Sequence, residues 1–251
     1  SDIAAMGASP RWAVVSFMLP RSVSALYAEA IERGAAEHLA RYGASVVGGN
    51  VASIDGPLVY DMTLVGTCAR GRAWKRHARA GDAMVVAGVL GSAAAGLAML
   101  RKGESASALV RAYRRATPRL DVARALSKSN DVHGAIDVSD GLSSDVIHMC
   151  AASRLGCELD ASALPIPAAV REFCRSHRKD PVEWALNGGE DYALVLSVTP
   201  KRAEAVCRMI RNAGARASIV GCFTASRRVY GILENKRVRR FEARGWDHLK
   251  R

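Results

Sequence analysis

No two of the six cysteines form a Cys-x-x-Cys pair, which excludes the usual structural zinc site. Their single spacing (Cys68, Cys150, Cys157, Cys174, Cys207, Cys222) suits buried free thiols in a reducing compartment, so a cytoplasmic location is expected. No window approaches the ~18 consecutive apolar residues of a membrane-spanning helix. No basic segment followed by an apolar one opens the chain, so no signal peptide is read there. The Gly-x-x-x-x-Gly-Lys-Ser/Thr phosphate loop is missing, and so is the Gly-x-Ser-x-Gly elbow. A phosphotransferase built on this chain must therefore use a scaffold other than the P-loop. None of the six histidines falls at the spacing of a zinc-protease pair. Aromatics make up only 6 % and few of them interleave the basic residues, which argues against a stacking platform for single-stranded nucleic acid.

What is present is apolar and basic. At 49 % hydrophobic residues, the 251-residue chain has enough for one large or two small cores, and its bulk is not disordered. The net charge of +12 fits nucleic acid, anionic lipid or small phosphorylated ligands. The excess concentrates after residue 226, where Arg227, Arg228, Lys236, Arg237, Arg239 and Arg240 lead into Arg244, Lys250 and Arg251. No recognition helix can be read among them. A solvated basic face is the plainer account, and neither nucleic acid nor membrane is expected as a partner.

Periodicity predicts a strand at 12–19, a helix from Ser22 or Ser24 to Tyr42, a short strand at 44–47 ending in Gly48-Gly49-Asn50, and a strand at 58–65. This is a β-α-β-β order with one long helix on a sheet. A cluster of basic residues at 70–79 marks a domain boundary. Beyond it come a strand at 83–89, helices at 91–100, 105–115 and 120–127, and a strand at 133–138. A helix to about Ser153, a strand at 157–159, helices at 168–177 and 181–186, a strand at 193–198, a helix at 200–213 and a strand at 217–220 follow. The tail at 229–241 reads as a basic hairpin or edge strand.

Four segments combine acids, hydroxyls and glycines. In Asp137-Val138-Ser139-Asp140-Gly141-Leu142-Ser143-Ser144-Asp145, three carboxylates and three hydroxyls meet where a strand passes into a helix. Free amides at a helix N-terminus suit phosphate, and carboxylates suit Mg2+, so the segment reads as a metal–nucleotide site. It also reads as a well-capped helix, with Ser139 or Asp140 at the N-cap and Asp145 in the first turn. Asp2, beside its Ala-Ala-Met-Gly-Ala run, is a metal ligand or a plain cap. Gly48-Gly49-Asn50 is a phosphate-approaching turn or an ordinary one. Asn187-Gly188-Gly189-Glu190-Asp191-Tyr192 places adjacent acids where a metal, an amine or a cationic ring would offset their repulsion.

Taken in order, these segments resemble the thiamine-monophosphate kinase family. Ser1-Asp2-Ile3-Ala4-Ala5-Met6-Gly7-Ala8 is similar to its SDLAAMGA stretch, Val47-Gly48-Gly49-Asn50 to its Gly-Gly-Asp, and residues 78–82 to the end of its R-S-G-A-x-x-G-D. Pro118-Arg119 matches part of P-x-P-R, residues 137–142 match D-I-S-D-G-L, and residues 188–192 match G-G-E-D-Y. Gly245-Trp246-Asp247-His248 is like the closing G-[YW]-x-H. The resemblance runs over almost the whole chain. It implies an α/β (α+β) protein with the two-domain aminoimidazole ribonucleotide synthetase-like fold. Residues 1–72 would be the remainder of an incomplete N-terminal domain for ATP binding and dimerisation, and residues 73–251 the C-terminal α/β domain.

The implied reaction moves the γ-phosphoryl of ATP onto thiamine monophosphate, with Mg2+, in a protein that is a homodimer when full length. The resemblance implies that Asp2, Asn50, Asp137 and Asp140 hold metal. It also implies that Gly49, Asn50, Ser139 and either Lys75 or Arg76 contact ATP, and that Glu190 and Trp246 meet the cationic thiamine. Asn50 stands where the family has aspartate, and keeps an oxygen ligand while losing a charge. The family's earlier G-D-D-A-A and T-T-D motifs do not occur here, so the chain is expected to be a fragment that is weakly active or inactive alone. Two other readings stand beside this one: a related ATP-dependent synthetase or kinase acting on another small substrate, and a non-catalytic relative.

Overall fold

The computed structural model describes residues 1–69, 71 and 73–246, and holds two sheets. The first has three strands in the order β2-β1-β3: β1 (Ala8–Pro20), β2 (Ser45–Ile54) and β3 (Val59–Cys68). β1 runs parallel to β2 and antiparallel to β3. Helix α2 (Ala25–Ala40) links β1 to β2, and the Ser24 hydroxyl caps it by accepting the Tyr27 amide. Before them lies a single helical turn, α1 (Asp2–Ala5).

α2 covers one face of this sheet thinly. Leu39 is the buried residue of the helix, packed with Ala13 and Ala44, while Leu26 is 78 % exposed. The amphipathic spacing is thus present, with Ile31 and Ala35 half-buried and the stripe exposed at Leu26 and Ala30. The opposite sheet face carries Trp12, Val14, Met18, Val59 and Val65, all exposed.

The second sheet has seven strands in the order β10-β9-β6-β8-β4-β7-β5. They are β4 (Ala83–Ala87), β5 (Val132–Asp137), β6 (Gly156–Asp160), β7 (Leu194–Val198), β8 (Ala217–Thr224), β9 (Tyr230–Glu234) and β10 (Arg237–Arg240). All neighbouring strands pair antiparallel except β6 with β9. Helices cover both faces, which is why β4 and β7 are wholly buried and read as continuous apolar runs. Val85 and Ala87 project into a core that also holds residues of α1, α5 (Leu120–Leu126) and α9 (Ala203–Asn212). Met84 and Val86 project the other way, into a core with α3 (Ser92–Leu100), α4 (Ala108–Arg114), α6 (Leu142–Ser153), α7 (Ala168–Ser176) and α8 (Pro181–Asn187). The tail hairpin forms as expected, with arginine-rich β10 guarding the sheet edge. All six cysteines are free; Cys150, Cys157, Cys174 and Cys207 are buried.

Two local expectations fail for packing reasons. The strand expected to stop before Gly48 continues to Ile54, so the glycine pair lies within β2. A Cβ on Gly49 would stand 2.1 Å from the Val15 carbonyl oxygen, so that glycine allows close strand approach. Gly48 pairs with Val14 where the β1/β2 register shifts. At α6 the N-cap is Gly141 (φ 116°), with no side-chain cap, in place of Ser139 or Asp140.

Candidate functional site

The carboxyl end of β5 lies beside the amino end of β7, with Asp137 opposite Leu194. This register continues past the strands. The Val138 amide donates to Ala193 O at 2.8 Å, Tyr192 N–H to Val138 O at 2.9 Å, and Glu190 N–H to Ser139 O at 2.8 Å. Two motifs separated by about fifty residues in sequence are thereby zipped together. The glycines permit it: a Cβ on Gly189 would lie 2.6 Å from Ser139 O, and one on Gly188 2.7 Å from Trp184 O. Glu190 (φ 67°) and Tyr192 (φ 49°) are both left-handed, a strained pair of the kind that clusters at ligand sites.

α1 brings Asp2 to the same place. Ser1 Oγ donates to Asp137 Oδ2, and α1 packs on β5. Burial raises the Tyr192 phenol, and the charges of Glu190, Asp137, Asp2 and Asp140 raise it further, so all four carboxylates lie near enough to act on that one phenol. Among the described residues, no three acidic, histidine or cysteine side chains close on a single metal position. Asp145 serves the turn itself. Its Oδ2 accepts both the Ser139 and Asp140 amides at 3.1 Å. Burial, with the Asp140 and Asp137 charges, outweighs those amides and pushes its carboxyl up to about 7.

Asp191 faces the other way. Its carboxylate accepts the Gly91 and Ala93 amides at the N-terminus of α3. Burial dominates here too and pushes it up to about 6. A carboxyl raised in the folded state stabilises fully below its unfolded value and loses that contribution as pH rises through the folded one. Wild type is therefore expected to lose up to about 3 kcal/mol relative to Asp191→Asn between pH 4 and pH 7, measured by chemical denaturation across that range.

A cavity of about 840 Å3 opens beside the carboxylates. Ser139, Asp140, Asn187, Gly188, Gly189, Glu190, Tyr192 and Trp246 line it, joined by Arg101, Tyr113 and Arg244. Its size suits a small-molecule ligand. Arg101 and Tyr113 come from the α3–α4 region, where no motif pointed to a site. Lys75 and Arg76 are both exposed, and neither is among the residues that line this cavity. Trp74 N–H donates to Met6 O at 2.9 Å, and Ala135 N–H donates to Lys75 O at 3.0 Å, which straps residues 74–78 along α1 and β5.

Gly49 and Asn50 do not join the group within one chain. Asn50 pairs with Ser16, eight residues along β1 from Ala8, or about 26 Å at strand rise. Within one copy β2 carries both Gly49 and Asn50 away from α1, so a single copy does not bring them to Asp2, Asp137 and Asp140. Of the closing motif, Asp247 and His248 lie outside the described residues. Trp246 is described, and its amide donates to Asp140 O at 2.9 Å.

Residues 1–68 match the N-terminal domain of AIR synthase related proteins, and residues 79–234 match the C-terminal domain. The chain is 33 % identical over 256 residues to thiamine-monophosphate kinase of Salmonella typhimurium, covering 99 % of this chain and 77 % of that protein. The chain belongs to the thiamine-monophosphate kinase family. The Rhodopirellula baltica kinase is 37 % identical over 204 residues, a match spanning 81 % of this chain and 59 % of the relative. Among solved structures of the family, "AaThiL complexed with AMPPCP and TMP" superposes with TM-score 0.84 at 29 % identity, over 99 % of this chain and 76 % of that one. Escherichia coli HypE, a hydrogenase maturation protein, superposes at 0.81 with 23 % identity, and shares the fold. The α/β two-domain architecture of the kinase family is thus the architecture of this chain.

Proposed function

We propose that this chain transfers the γ-phosphoryl group of ATP to the phosphate of thiamine monophosphate, giving thiamine diphosphate. The observation that carries this is the convergence of Asp2, Asp137, Asp140 and Glu190 around Tyr192, beside a cavity walled by Trp246. The acceptor is already an anionic phosphate oxygen, so no strong general base is needed. What the site must do is bring two polyanions together.

The donor set fits Mg2+. That ion is usually held by one or two carboxylates together with substrate phosphates, and seldom by an all-protein cage. Asp2, Asp137 and Asp140 offer hard carboxylate oxygens of that kind, near enough to act together on the Tyr192 phenol. Asp2, Asp137 and Asp140 would hold the metal, which when bound neutralises phosphate charge and aligns the reacting oxygens. Ser139, in a turn whose amide is fixed by Asp145, would contact ATP, with Lys75 or Arg76 on the phosphates. Glu190 and the Trp246 ring would meet the cationic thiazolium. These roles, the division at residues 72/73 and a cytoplasmic location are parts of the proposal. Among the described residues, no helix is long and apolar enough to cross a membrane.

The test is calorimetry with thiamine monophosphate in the presence of Mg2+ and a non-hydrolysable ATP analogue, followed by an assay for thiamine diphosphate. Saturable binding and ATP-dependent product are expected, with thiamine itself a poor acceptor. No binding would overturn the reading.

The exposed apolar face formed by Trp12, Val14, Met18, Val59 and Val65 is the surface we assign to a second copy of the chain. Burying a charge there is costly. Trp12→Glu is accordingly expected to weaken dimerisation by at least about a hundredfold, read by analytical ultracentrifugation, while leaving the second sheet folded.

A further inference from the structure

The first turn of α6 commits three successive side chains to three other segments. Asp145 holds the amides of the Asp137–Asp140 turn, as described above. Ser143 Oγ donates to Asn187 Oδ1 at 2.9 Å and accepts the Arg244 amide at 3.4 Å. Ser144 Oγ accepts the Gly245 amide at 3.1 Å. Both serines are buried, at 1 % and 6 % exposure. A helical serine commonly returns its hydroxyl to a carbonyl one turn back, as Ser153 does to Met149 O. Ser143 and Ser144 reach across to distant chain segments.

Residues 241–246 have no helix or strand to satisfy their amides. Three consecutive amides nonetheless find partners: Arg244 on Ser143, Gly245 on Ser144 and Trp246 on the Asp140 carbonyl. The fit is close, since a Cβ on Gly245 would fall 2.0 Å from Asp140 O and 2.5 Å from Ser144 Oγ. Asn187 is equally fixed, because its amide nitrogen donates to both the main-chain oxygen and Oε2 of Glu183, leaving its Oδ1 to Ser143.

We infer that Ser143 and Ser144 are positioning residues for the substrate. Through the strap they seat Trp246 in the cavity wall, and through Asn187 they seat the Gly188-Gly189-Glu190 loop. This inference rests on the kinase reading of the cavity for its substrate, though not for the anchoring itself. Neither hydroxyl touches the reacting atoms, so the effect falls on recognition of thiamine monophosphate, with ATP and turnover left alone.

The test uses Ser143→Ala, Ser144→Ala and the double variant. One hydrogen bond shifts an equilibrium about fivefold, so the double variant should raise the KM for thiamine monophosphate ten- to thirtyfold. The KM for ATP and kcat should stay within about twofold. Amide hydrogen exchange over residues 242–246 should quicken about tenfold or more, while exchange in β4 stays put, which separates a loosened strap from an unfolded domain. Unchanged exchange overturns the anchoring. Faster exchange with an unchanged KM for thiamine monophosphate overturns the positioning role. If wild type neither binds nor turns over thiamine monophosphate, the kinase reading falls and the substrate role with it. The exchange comparison then still decides whether the hydroxyls hold the strap.

Discussion

Replacing Asp137 by asparagine is expected to cut turnover about a thousandfold while leaving the protein folded. The side chain ends β5 and is 8 % exposed, and its one side-chain hydrogen bond among the described residues comes from Ser1 Oγ. Asparagine keeps both shape and an acceptor oxygen, so the β5–β7 register that places the turn is undisturbed. What is removed is one negative charge from a group that includes Asp2 and Asp140. In the proposed reaction that charge would help hold Mg2+, and several kcal/mol of transition-state stabilisation would depend on it. The check is a thiamine diphosphate assay at several Mg2+ concentrations, alongside a thermal melt. Partial recovery at high Mg2+ is expected, since a weakened site still fills by mass action. Near-normal turnover at low Mg2+ would remove Asp137 from the metal set.

The second large effect is on stability. Gly134→Ala is expected to destabilise the protein by about 3 kcal/mol or more, at the upper end of overpacking costs. Gly134 is buried in β5, and a Cβ there would lie 1.9 Å from His77 O and 2.6 Å from Lys75 O. Both obstacles are main-chain atoms of residues 74–78, and main chain has no rotamer by which to move aside. This segment also donates the Ala78 amide to Ser153 Oγ at 2.7 Å and accepts the Ala135 amide on Lys75 O. Relief would require peeling it away from the sheet. For a chain of this size the melting midpoint should fall by about 10 °C. A midpoint within 2 °C of wild type would show that the strap shifts freely.

Much of the fold could be read from pattern because its elements are locally self-consistent. The apolar run of β4, the Ser24 cap of α2 and the arginine-rich hairpin at the tail each state their structure in a few adjacent residues. The errors came where a distant segment decides. Gly48-Gly49 looks like a turn from its neighbours, and lies in mid-strand because the β1 backbone approaches it. Ser139 and Asp140 look like caps, yet their amides are held by Asp145 from the helix they precede.

The sequence by itself determined the family, the two-part α/β architecture and most of the acids proposed to act, because short motifs at a chain reversal carry their own chemistry. Asp137, Asp140 and Glu190 are where their motifs say they are. Only the tertiary structure decided which motifs meet. Antiparallel pairing of β5 with β7 brings residues 137–140 against 188–192, and α1 delivers Asp2 to that junction. The three hydrogen-bonded side chains of the Ser143-Ser144-Asp145 turn then fix the walls around them. Contacts of that kind depend on strand register and backbone approach, which are properties of pairs of segments. A single stretch of sequence does not contain them.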